Sequence, residues 1–275
     1  MLHESARQAD PQPEPSEEVI PVTPDERRTQ IVALVEAGES VTPADLGARF
    51  GVSEDSIRRD LRTLADLGMI RRVHGGAVPR SPAVLPYTQR EGQDPLAKRK
   101  IAAVAAARLV GFRAVCLDAG TSVVEVARLL SVEFKGMVVT VSLPVAAELA
   151  ERPGTEVVLV GGRVSGYTRA TSGPDTIDAL RRYRFDACVL GVCSLDPSAG
   201  LTVADRDEAF VKAAMVERST LVVAVAVRGK LGTAEPFVIA PASAVGLLVT
   251  DAAASDPTVC ALVRSGVEVV CVPAE

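Results

Sequence analysis

The sequence is poor in the two residue types that most often hold transition metals. It has only two histidines, His3 and His74, and five cysteines that form no CxxC pair. A structural zinc site needs four Cys or His ligands at short, regular spacings. The sequence therefore predicts no metal site. Scattered cysteines in odd number are typical of small buried side chains in a reducing compartment.

Long apolar runs and a strong charge of one sign are also absent. The longest strand-like apolar run, residues 221–227, is far shorter than the roughly 20 residues that span a bilayer. Residues 1–22 lack the apolar core of a signal peptide. We therefore expect a cytoplasmic protein with no membrane partner. A formal net charge of −5 and a hydrophobic content of 48% exclude a basic coating protein and a wholly disordered chain.

The chain is expected to begin with a tail and then a DNA-binding domain. Residues 1–22 are rich in proline and acid and have no apolar period, so they predict a disordered acidic tail. From Thr23 the sequence TPDERR supplies a cap, a proline at the first helical position and acid in the first turn. These features predict the first helix of a compact domain.

One amphipathic helix, predicted within residues 52–68 (VSEDSIRRDLRTLADLG), organises this domain. At about 100° per residue it has two distinct faces. The apolar face consists of Ile57, Leu61 and Leu64, and the basic face of Arg58, Arg59 and Arg62. Ser53 is placed to cap the helix, and residues 43–50 predict a shorter helix before Gly51. The pair predicts a helix-turn-helix whose second helix enters the DNA major groove.

Three arginines on a helix are commonly only a solvated face, but the segment that follows favours DNA. Residues 69–80 (MIRRVHGGAVPR) predict a two-stranded wing that turns at Gly75 and Gly76. Residues 56–80 contain six arginines and two aspartates, which gives +4 in a chain of net charge −5. DNA phosphates select such a local excess of positive charge.

The sequence VSEDSIRRDL, followed by HGGA at residues 74–77, resembles the winged helix-turn-helix of the DeoR family of bacterial transcriptional regulators. The resemblance implies contacts to operator DNA from the second helix and from the wing. Together with the helix face, it indicates as DNA-binding residues Ser53, Ser56, Arg58, Arg59, Arg62, Arg72 and His74. We expect the DNA-binding domain to cover residues 23–80.

The rest of the chain predicts a linker and a larger α/β domain. Residues 81–97 contain three prolines and one glycine and predict the linker. Beyond it, apolar runs alternate with helical stretches, which predicts a Rossmann-like, mainly parallel sheet over residues 98–275 with helices on both faces. The expected strands are 114–117, 137–141, 156–160, 188–191, 221–225, 245–249 and 267–272. The expected helices are 98–110, 122–130, 144–150, 174–182, 205–217 and 257–263.

Ligands of such sheets collect at the carboxyl ends of the strands. Residues 118–122 (DAGTS) follow the first strand and open a helix, so their glycine, hydroxyls and helix start predict a phosphate-binding loop, although a simple capped turn is the alternative. Residues 140–142 (TVS) and 161–163 (GGR) end the next two strands in the same way. Convergence of three such loops favours a ligand site. Because no GxGxxG motif is present, no dinucleotide cofactor is predicted.

A second polar set lies later in the chain. Glu208 and Lys212 are four residues apart on one predicted helix, and Lys230 follows in an Arg-Gly-Lys run. A Glu and a Lys at this spacing commonly form only an exposed ion pair. The alternative is that both side chains face a ligand.

The resemblance to the DeoR family extends over roughly residues 25–272, and in this second part it is to the sensor domain. That domain is similar in fold to ribose-5-phosphate isomerase, and in the family it binds phosphorylated sugars or related metabolites that release the repressor from DNA. By resemblance and loop position, the effector-binding residues are Asp118, Gly120, Thr121, Ser122, Ser142, Gly161, Glu208, Lys212 and Lys230. Two positions depart from the family pattern, Val141 and Val227, and each puts an apolar residue where many members have a polar one.

These features predict a repressor of carbohydrate-metabolism genes that is not an enzyme and acts as a homodimer or tetramer, because one small recognition module gives too little DNA contact. Two alternatives remain. An isomerase-like enzyme with an added DNA-binding domain needs an acid and a base over its substrate, and the loop after Gly191 offers only Asp196. A constitutive repressor with a degenerate sensor would explain Val141 and Val227.

Overall fold

The structure, a computed structural model, describes residues 22–36, 41–66, 69–73, 76–79 and 85–272. Three of the sequence-based predictions fall wholly or partly outside these ranges. They concern the acidic tail up to residue 21, the wing residues His74, Gly75 and Arg80, and residues 81–84 of the expected linker. The chain divides into two compact units, Met1–Pro79 and Arg80–Glu275, called the first and the second unit below.

The first unit contains the predicted helices and the two strands of the wing. Its elements are α1 (Pro24–Glu36), α2 (Pro43–Phe50), α3 (Glu54–Asp66), β1 (Ile70–Val73) and β2 (Gly76–Pro79). At the start of α1, the Thr23 hydroxyl accepts a hydrogen bond from Glu26 N at 3.3 Å, and the Glu26 carboxylate accepts one from Thr23 N at 3.0 Å. This reciprocal capping box begins the helix at the predicted place.

The core of the first unit is the apolar face that the helical spacing predicts. Ile57, Leu61 and Leu64 of α3 are at most 2% exposed and pack with residues of α1 and α2. A buried ion pair joins α1 to α3, with Arg27 Nε 2.7 Å from the Asp60 carboxylate. Asp60 is therefore turned away from the basic face of α3, which leaves the arginines there without its opposing charge.

The wing differs by one residue from its predicted turn. In the antiparallel pair of β1 and β2, Val73 is opposite Gly76, so residues 74–75 make the connection and Gly76 lies in a strand. A Cβ at Gly76 would lie 2.2 Å from the carbonyl oxygen of Val41, and Ala77 N donates to that same oxygen at 3.2 Å. Glycine is needed at residue 76 because another segment of backbone passes close to it.

The second unit alternates strands and helices. Its helices are α4 (Tyr87–Glu91), α5 (Pro95–Ala107), α6 (Thr121–Leu129), α7 (Leu143–Leu149), α8 (Pro174–Arg181), α9 (Arg206–Glu217) and α10 (Pro257–Arg264). Its strands are β3 (Ala114–Leu117), β4 (Met137–Thr140), β5 (Glu156–Leu159), β6 (Arg163–Ser165), β7 (Ala170–Ser172), β8 (Phe185–Gly191), β9 (Ser194–Asp196), β10 (Gly200–Val203), β11 (Ser219–Ala226), β12 (Phe237–Ala240), β13 (Leu247–Thr250) and β14 (Glu268–Cys271).

The seven predicted strands form one parallel sheet in the order β5-β4-β3-β8-β11-β13-β14. The chain builds outwards from β3 in one direction and, from β8 onwards, in the other. This is the doubly wound Rossmann arrangement, whose ligands bind at the carboxyl ends of the two strands where the direction changes. Those ends are Leu117, followed by Asp118, and Gly191.

Alternate residues of each central strand face opposite sides of the sheet. On β8, Cys188 and Leu190 belong to the core that packs against α8, α9 and α10, while Ala187 and Val189 belong to the core against α5, α6 and α7. Both faces are thus covered. This agrees with the near-continuous apolar character of these strands in the sequence.

Several shorter elements were not predicted from the sequence. They are the antiparallel sheet of β9, β10 and β12, the hairpin of β6 and β7, and helix α4. The strands are only three or four residues long, which is too short for a clear alternation of apolar and polar residues. Helix α4 lies within the expected linker, and its Tyr87 is 3% exposed because it packs into the second unit. No helix in the described part of the chain is long and apolar enough to cross a membrane.

Candidate functional site

Helix α3 begins where the sequence places its cap. The Ser53 hydroxyl accepts a hydrogen bond from Ser56 N at 3.3 Å, and the two hydroxyl oxygens are 3.0 Å apart. Ser53 is exposed and Ser56 is partly exposed, so both are accessible at the amino end of the helix. In a helix-turn-helix this end approaches the base edges.

The three arginines of the basic face of α3 are exposed but differ in their partners. Arg58 forms an ion pair with Glu54 at 2.9 Å. Arg59 and Arg62 form no side-chain ion pair with any described residue. Arg72 lies on strand β1, opposite Ala77, and His74 is outside the described ranges. The structure therefore brings the predicted helix contacts together on one solvent-facing surface.

In the second unit, two adjoining hollows lie at the carboxyl ends of β3 and β8. The larger cavity has a volume of about 520 Å³, and its walls include Val141, Arg163, Tyr167, Asp205 and Glu208. A smaller hollow, called the α6 recess below, opens at the start of helix α6. It is lined by Arg90, Ala119, Gly120, Thr121, Ser122, Thr168, Gly191, Val192, Cys193, Glu208, Lys212 and Lys230. Ala119, Thr168, Glu208 and Lys212 line both hollows and mark their junction.

The start of α6 supplies hydrogen-bond donors to the recess. Gly120 caps the helix at φ 128°, a conformation that L side chains rarely adopt, and no side chain caps the helix. Thr121 and Ser122 are 8% and 7% exposed, and their hydroxyls have no hydrogen-bond partner within the described ranges. Free hydroxyls and unpaired N–H groups at a helix amino terminus are suited to bind an anion.

A buried ion pair holds this loop in place. Lys212 Nζ lies 2.6 Å from the Asp118 carboxylate, and both side chains are only 2% exposed. The same carboxylate oxygen accepts from Gly191 N at 3.0 Å, and Lys212 donates to Gly191 O at 2.7 Å. Burial opposes the charge of Lys212, but Asp118 and other nearby groups keep its pKa above the usual lysine value. Asp118 and Lys212 thus join β3, β8 and α9 at the switch point of the sheet.

Glu208 lies at the junction of the two hollows. One carboxylate oxygen is 3.2 Å from Lys212 Nζ and 3.6 Å from the Cys193 sulfur. The spacing of four residues therefore does not make an ordinary exposed ion pair, because Lys212 is buried and Glu208 is three-quarters buried. Burial raises the pKa of the Cys193 thiol to about 12, so this side chain stays protonated.

Lys230 approaches the recess from the turn after β11. It forms no ion pair with the described residues, and its pKa is lowered to about 8 by burial and by the positive charges of Arg90, Lys212 and Lys98. An ammonium group surrounded by other cations is strongly stabilised by an incoming anion. Lys230 is thus an unpaired cation beside the free hydroxyls of α6.

Two of the predicted effector residues lie elsewhere. The Ser142 hydroxyl caps α7 by accepting from Val145 N at 3.3 Å, and Gly161 O accepts from the Thr176 hydroxyl at 2.8 Å. Neither residue lines a hollow. Of the two departures from the family pattern, Val141 lines the larger cavity, whereas Val227 packs into the core.

Sequence reasoning did not identify several residues that line the hollows. Arg163, Tyr167 and Thr168 come from the hairpin of β6 and β7, and Arg90 comes from α4. Arg90 was not selected because the sequence around it contains three prolines and predicts a linker. Arg163 belongs to the GGR loop and could have been chosen instead of Gly161 for its charge.

The fold and the site together define a class of protein. A winged helix-turn-helix followed by a doubly wound α/β unit, with a recess suited to an anion, is typical of DNA-binding regulators that carry a ligand-sensing domain. The comparisons with known proteins agree. The family model for a DeoR-like helix-turn-helix domain matches residues 27–82, and the model for the DeoR C terminal sensor domain matches residues 93–252. The chain belongs to the DeoR family of transcriptional regulators.

Two transcriptional regulators are among the proteins similar to this chain. The HTH-type transcriptional regulator GlpR of Haloferax volcanii is 39% identical over 230 residues, which cover 83% of this chain and 90% of that protein. The glycerol-3-phosphate regulon repressor of Escherichia coli (strain K12) is 30% identical over 228 residues, 82% of this chain and 90% of that one. A solved structure, the probable sor operon regulator from Shigella flexneri, covers 62% of this chain and 90% of its own at 11% identity and a TM-score of 0.41.

Proposed function

We propose that this regulator is a repressor whose release from operator DNA is controlled by a phosphorylated small molecule bound in the second unit. One observation carries the proposal. Unpaired donors from separate elements, the Thr121 and Ser122 hydroxyls and the Lys230 ammonium, converge on the recess at the start of α6. A phosphate group matches these donors in charge and in its number of acceptor oxygens.

Each of the two hollows holds one part of the ligand. The phosphate occupies the α6 recess, and the carbon skeleton extends past Glu208 into the larger cavity. The Glu208 carboxylate accepts hydrogen bonds from ligand hydroxyls at the junction. Asp118 and Lys212 are nearly inaccessible and use their polar atoms on each other and on Gly191, so they position the loop. Val141 gives the larger cavity an apolar wall, which favours an effector with few hydroxyls on that side.

The first unit supplies DNA recognition in this proposal. Residues 23–80 act as the DNA-binding domain, with α3 in the major groove and the wing beside it. Arg59 and Arg62, which form no ion pair with the described residues, contact phosphates, and Ser53 and Ser56 approach the bases from the amino end of α3. Residues 98–275, together with helix α4 from the expected linker, act as the sensor, and the protein binds its operator as a homodimer or tetramer. Sedimentation at micromolar concentration tests the last point, since a monomer that still binds tightly would contradict it.

The isomerase alternative is not favoured by the geometry of Asp196. Its carboxylate accepts from Ser198 N at 2.8 Å, from the Ser198 hydroxyl at 2.6 Å and from Ala199 N at 2.9 Å. These bonds close a local turn, and Asp196 does not line either hollow. The constitutive-repressor alternative has support only from Val141, since the recess itself keeps its donors.

Calorimetric titration of the full chain tests the proposal. Suitable probes are glycerol 3-phosphate, because the Escherichia coli relative is named a glycerol-3-phosphate regulon repressor, and ribose 5-phosphate and glucose 6-phosphate, each beside its dephosphorylated form. We expect at least one phosphate ester to bind about a hundredfold or more tightly than its dephosphorylated form, because two or three charge-assisted hydrogen bonds are lost without the phosphate. The same ester should release the protein from a DNA fragment upstream of its own gene. Equal binding of the ester and its dephosphorylated form would contradict the phosphate site.

A further inference from the structure

Arg90 lies at the α6 recess although the sequence around it predicts a linker. Its side chain lines the recess together with Gly120, Thr121 and Lys230. A Cβ built on Gly120 would lie 3.9 Å from Nη1 of Arg90, which is ordinary van der Waals distance. The guanidinium therefore faces the first residues of α6 directly.

The donors of Arg90 are not used within the described part of the chain. Its Nε is buried without a hydrogen-bond partner there, and no carboxylate of the described residues forms an ion pair with it. The carbon of the guanidinium lies 5.9 Å from the centre of the Tyr87 ring. Such a cation–π contact orients the side chain without using its N–H groups, so they remain available to an anion.

The backbone that carries Arg90 is attached to helix α5 and to the wall of the larger cavity. Lys98 Nζ donates to Arg90 O, and Tyr87 N donates to Tyr167 O at 2.9 Å. The guanidinium of Arg169 also lies 4.7 Å from the centre of the Tyr87 ring. Because Tyr167 lines the larger cavity, helix α4 contacts both parts of the proposed effector site.

We infer that Arg90 is a phosphate ligand of the effector site, supplied by helix α4 opposite the start of α6. This inference rests on the proposed function, since it assumes that the recess holds a phosphate. The planar fork of arginine matches two phosphate oxygens. The phosphate is then held by three elements that are separate in sequence, namely α4, α6 and the turn that carries Lys230.

The position of Arg90 in the chain gives this contact a consequence for regulation. Helix α4 is the first described element after residues 80–84, which connect the two units in sequence. A ligand changes a conformational equilibrium only through contacts that differ between the two states. The loop at Asp118 is fixed by its buried ion pair, whereas α4 is a short helix of five residues. The contact to Arg90 thus ties the phosphate to the start of the second unit.

Calorimetric titration of the full chain with inorganic phosphate, at constant ionic strength, tests the inference. Arg90→Ala should bind phosphate about tenfold or more weakly than the wild type, because it loses a charge-assisted hydrogen-bonding group. Arg90→Lys, which keeps the charge and loses the fork, should lie between the two. The matched control is Arg99→Ala, which removes an exposed arginine of α5 that lines neither hollow and should bind like the wild type.

The rise in unfolding temperature caused by phosphate gives a second readout, because at a fixed ligand concentration a tighter ligand stabilises the folded state more, by an amount that grows with the logarithm of its affinity. At one phosphate concentration this rise should persist in Arg99→Ala and be clearly smaller in Arg90→Ala. If Arg90→Ala does not fold, the comparison of Arg90→Lys with the wild type decides. Wild-type affinity in the Arg90 variants, with weak binding by Gly120→Val, would overturn the role of Arg90 alone. No binding by the wild type, or normal binding by Gly120→Val, would overturn the phosphate site and this inference with it.

Discussion

The two units place their proposed phosphate-binding groups in opposite surroundings. On α3, Arg58, Arg59 and Arg62 are exposed and lie outside the apolar core of the first unit. At the α6 recess, the residues Thr121 and Ser122 are more than nine-tenths buried and lie beside a fully buried ion pair. One surface is open and adjustable, and the other is enclosed and fixed by the core.

This difference suits the two proposed ligands. DNA is a long polyanion that a protein must slide along and leave, so exposed cations that exchange with salt ions serve it well. A small effector has a single phosphate and must be distinguished from many similar metabolites. An enclosed site strengthens each electrostatic contact and fixes its direction. We therefore expect the two surfaces to respond differently to mutation, salt and pH.

The largest expected effect is on stability and comes from Lys212→Ala. Removing the lysine leaves Asp118 buried without its partner, which should cost about 3–5 kcal/mol of unfolding free energy. Urea unfolding measures this loss. Arg62→Ala on the exposed surface should change stability by no more than about 0.5 kcal/mol.

A double variant, Asp118→Asn with Lys212→Met, should recover part of that stability, because it removes both charges at once. If Lys212→Ala cost less than about 1 kcal/mol, the pair would not be the support for the loop that its burial indicates.

The second effect is on effector binding and comes from Gly120→Val. Residue 120 has a positive φ, so valine is strained there, and its side chain points towards Arg90. We expect about a hundredfold or greater loss of affinity for a phosphate ester, and a protein that stays on its operator fragment at ester concentrations that release the wild type. Gel shift and calorimetry measure these effects.

Gly161→Val is the matched control for this variant. A Cβ at Gly161 meets open space, and the residue lines neither hollow. The Gly161→Val variant should therefore bind the ester as the wild type does. Loss of binding in Gly161→Val together with normal binding in Gly120→Val would move the ligand to the loop after β5.

The third effect is on DNA binding and its dependence on salt. Arg59→Ala and Arg62→Ala should each lower the slope of log K against log salt by about one, and weaken operator binding by about tenfold at moderate salt. Arg58→Ala should have a smaller effect, because Glu54 already neutralises Arg58 in the free protein. Arg184→Ala, an exposed arginine of the second unit, is the control. Unchanged slopes in all three α3 variants would contradict the placement of this helix in the major groove.

The smallest effect is a dependence of effector affinity on pH. Lys230 has a pKa lowered to about 8, so it loses its proton in the free protein as the pH rises above that value. Phosphate binding favours the protonated form and therefore takes up a proton. Affinity should fall about fourfold between pH 7 and pH 8.5. It should also fall below about pH 6, where a phosphate ester gains its own proton.

Titrations in buffers of different ionisation enthalpy measure the proton uptake directly. Lys230→Met should bind more weakly at pH 7 and should lose the alkaline fall. Operator binding through arginines should stay nearly constant over the same range, since the guanidinium keeps its charge in proteins. An alkaline fall that persists in Lys230→Met would assign the titration to another group.

The sequence by itself determined the elements that depend on local patterns. The apolar stripe of α3 follows from a period of 3.6 residues, and its start follows from the capping residue Ser53. The seven strands of the parallel sheet follow from short, near-continuous apolar runs, and the structure confirms all three features. The sequence also placed residues 118–122 at the end of the first strand of the sheet. Short strands such as β9 and β12 have too few residues to show a period, so they could not be predicted.

The tertiary structure decided which of the predicted side chains can reach a ligand. Ser142 and Gly161 follow the same kind of strand as Asp118, yet only Asp118 lies at the switch point, because β3 and not β4 or β5 is next to β8. Contacts between residues far apart in the chain turned Asp118 and Lys212 into a buried support and brought Arg90 to the start of α6. Such contacts depend on the order of strands in the sheet, which no local pattern of residues contains.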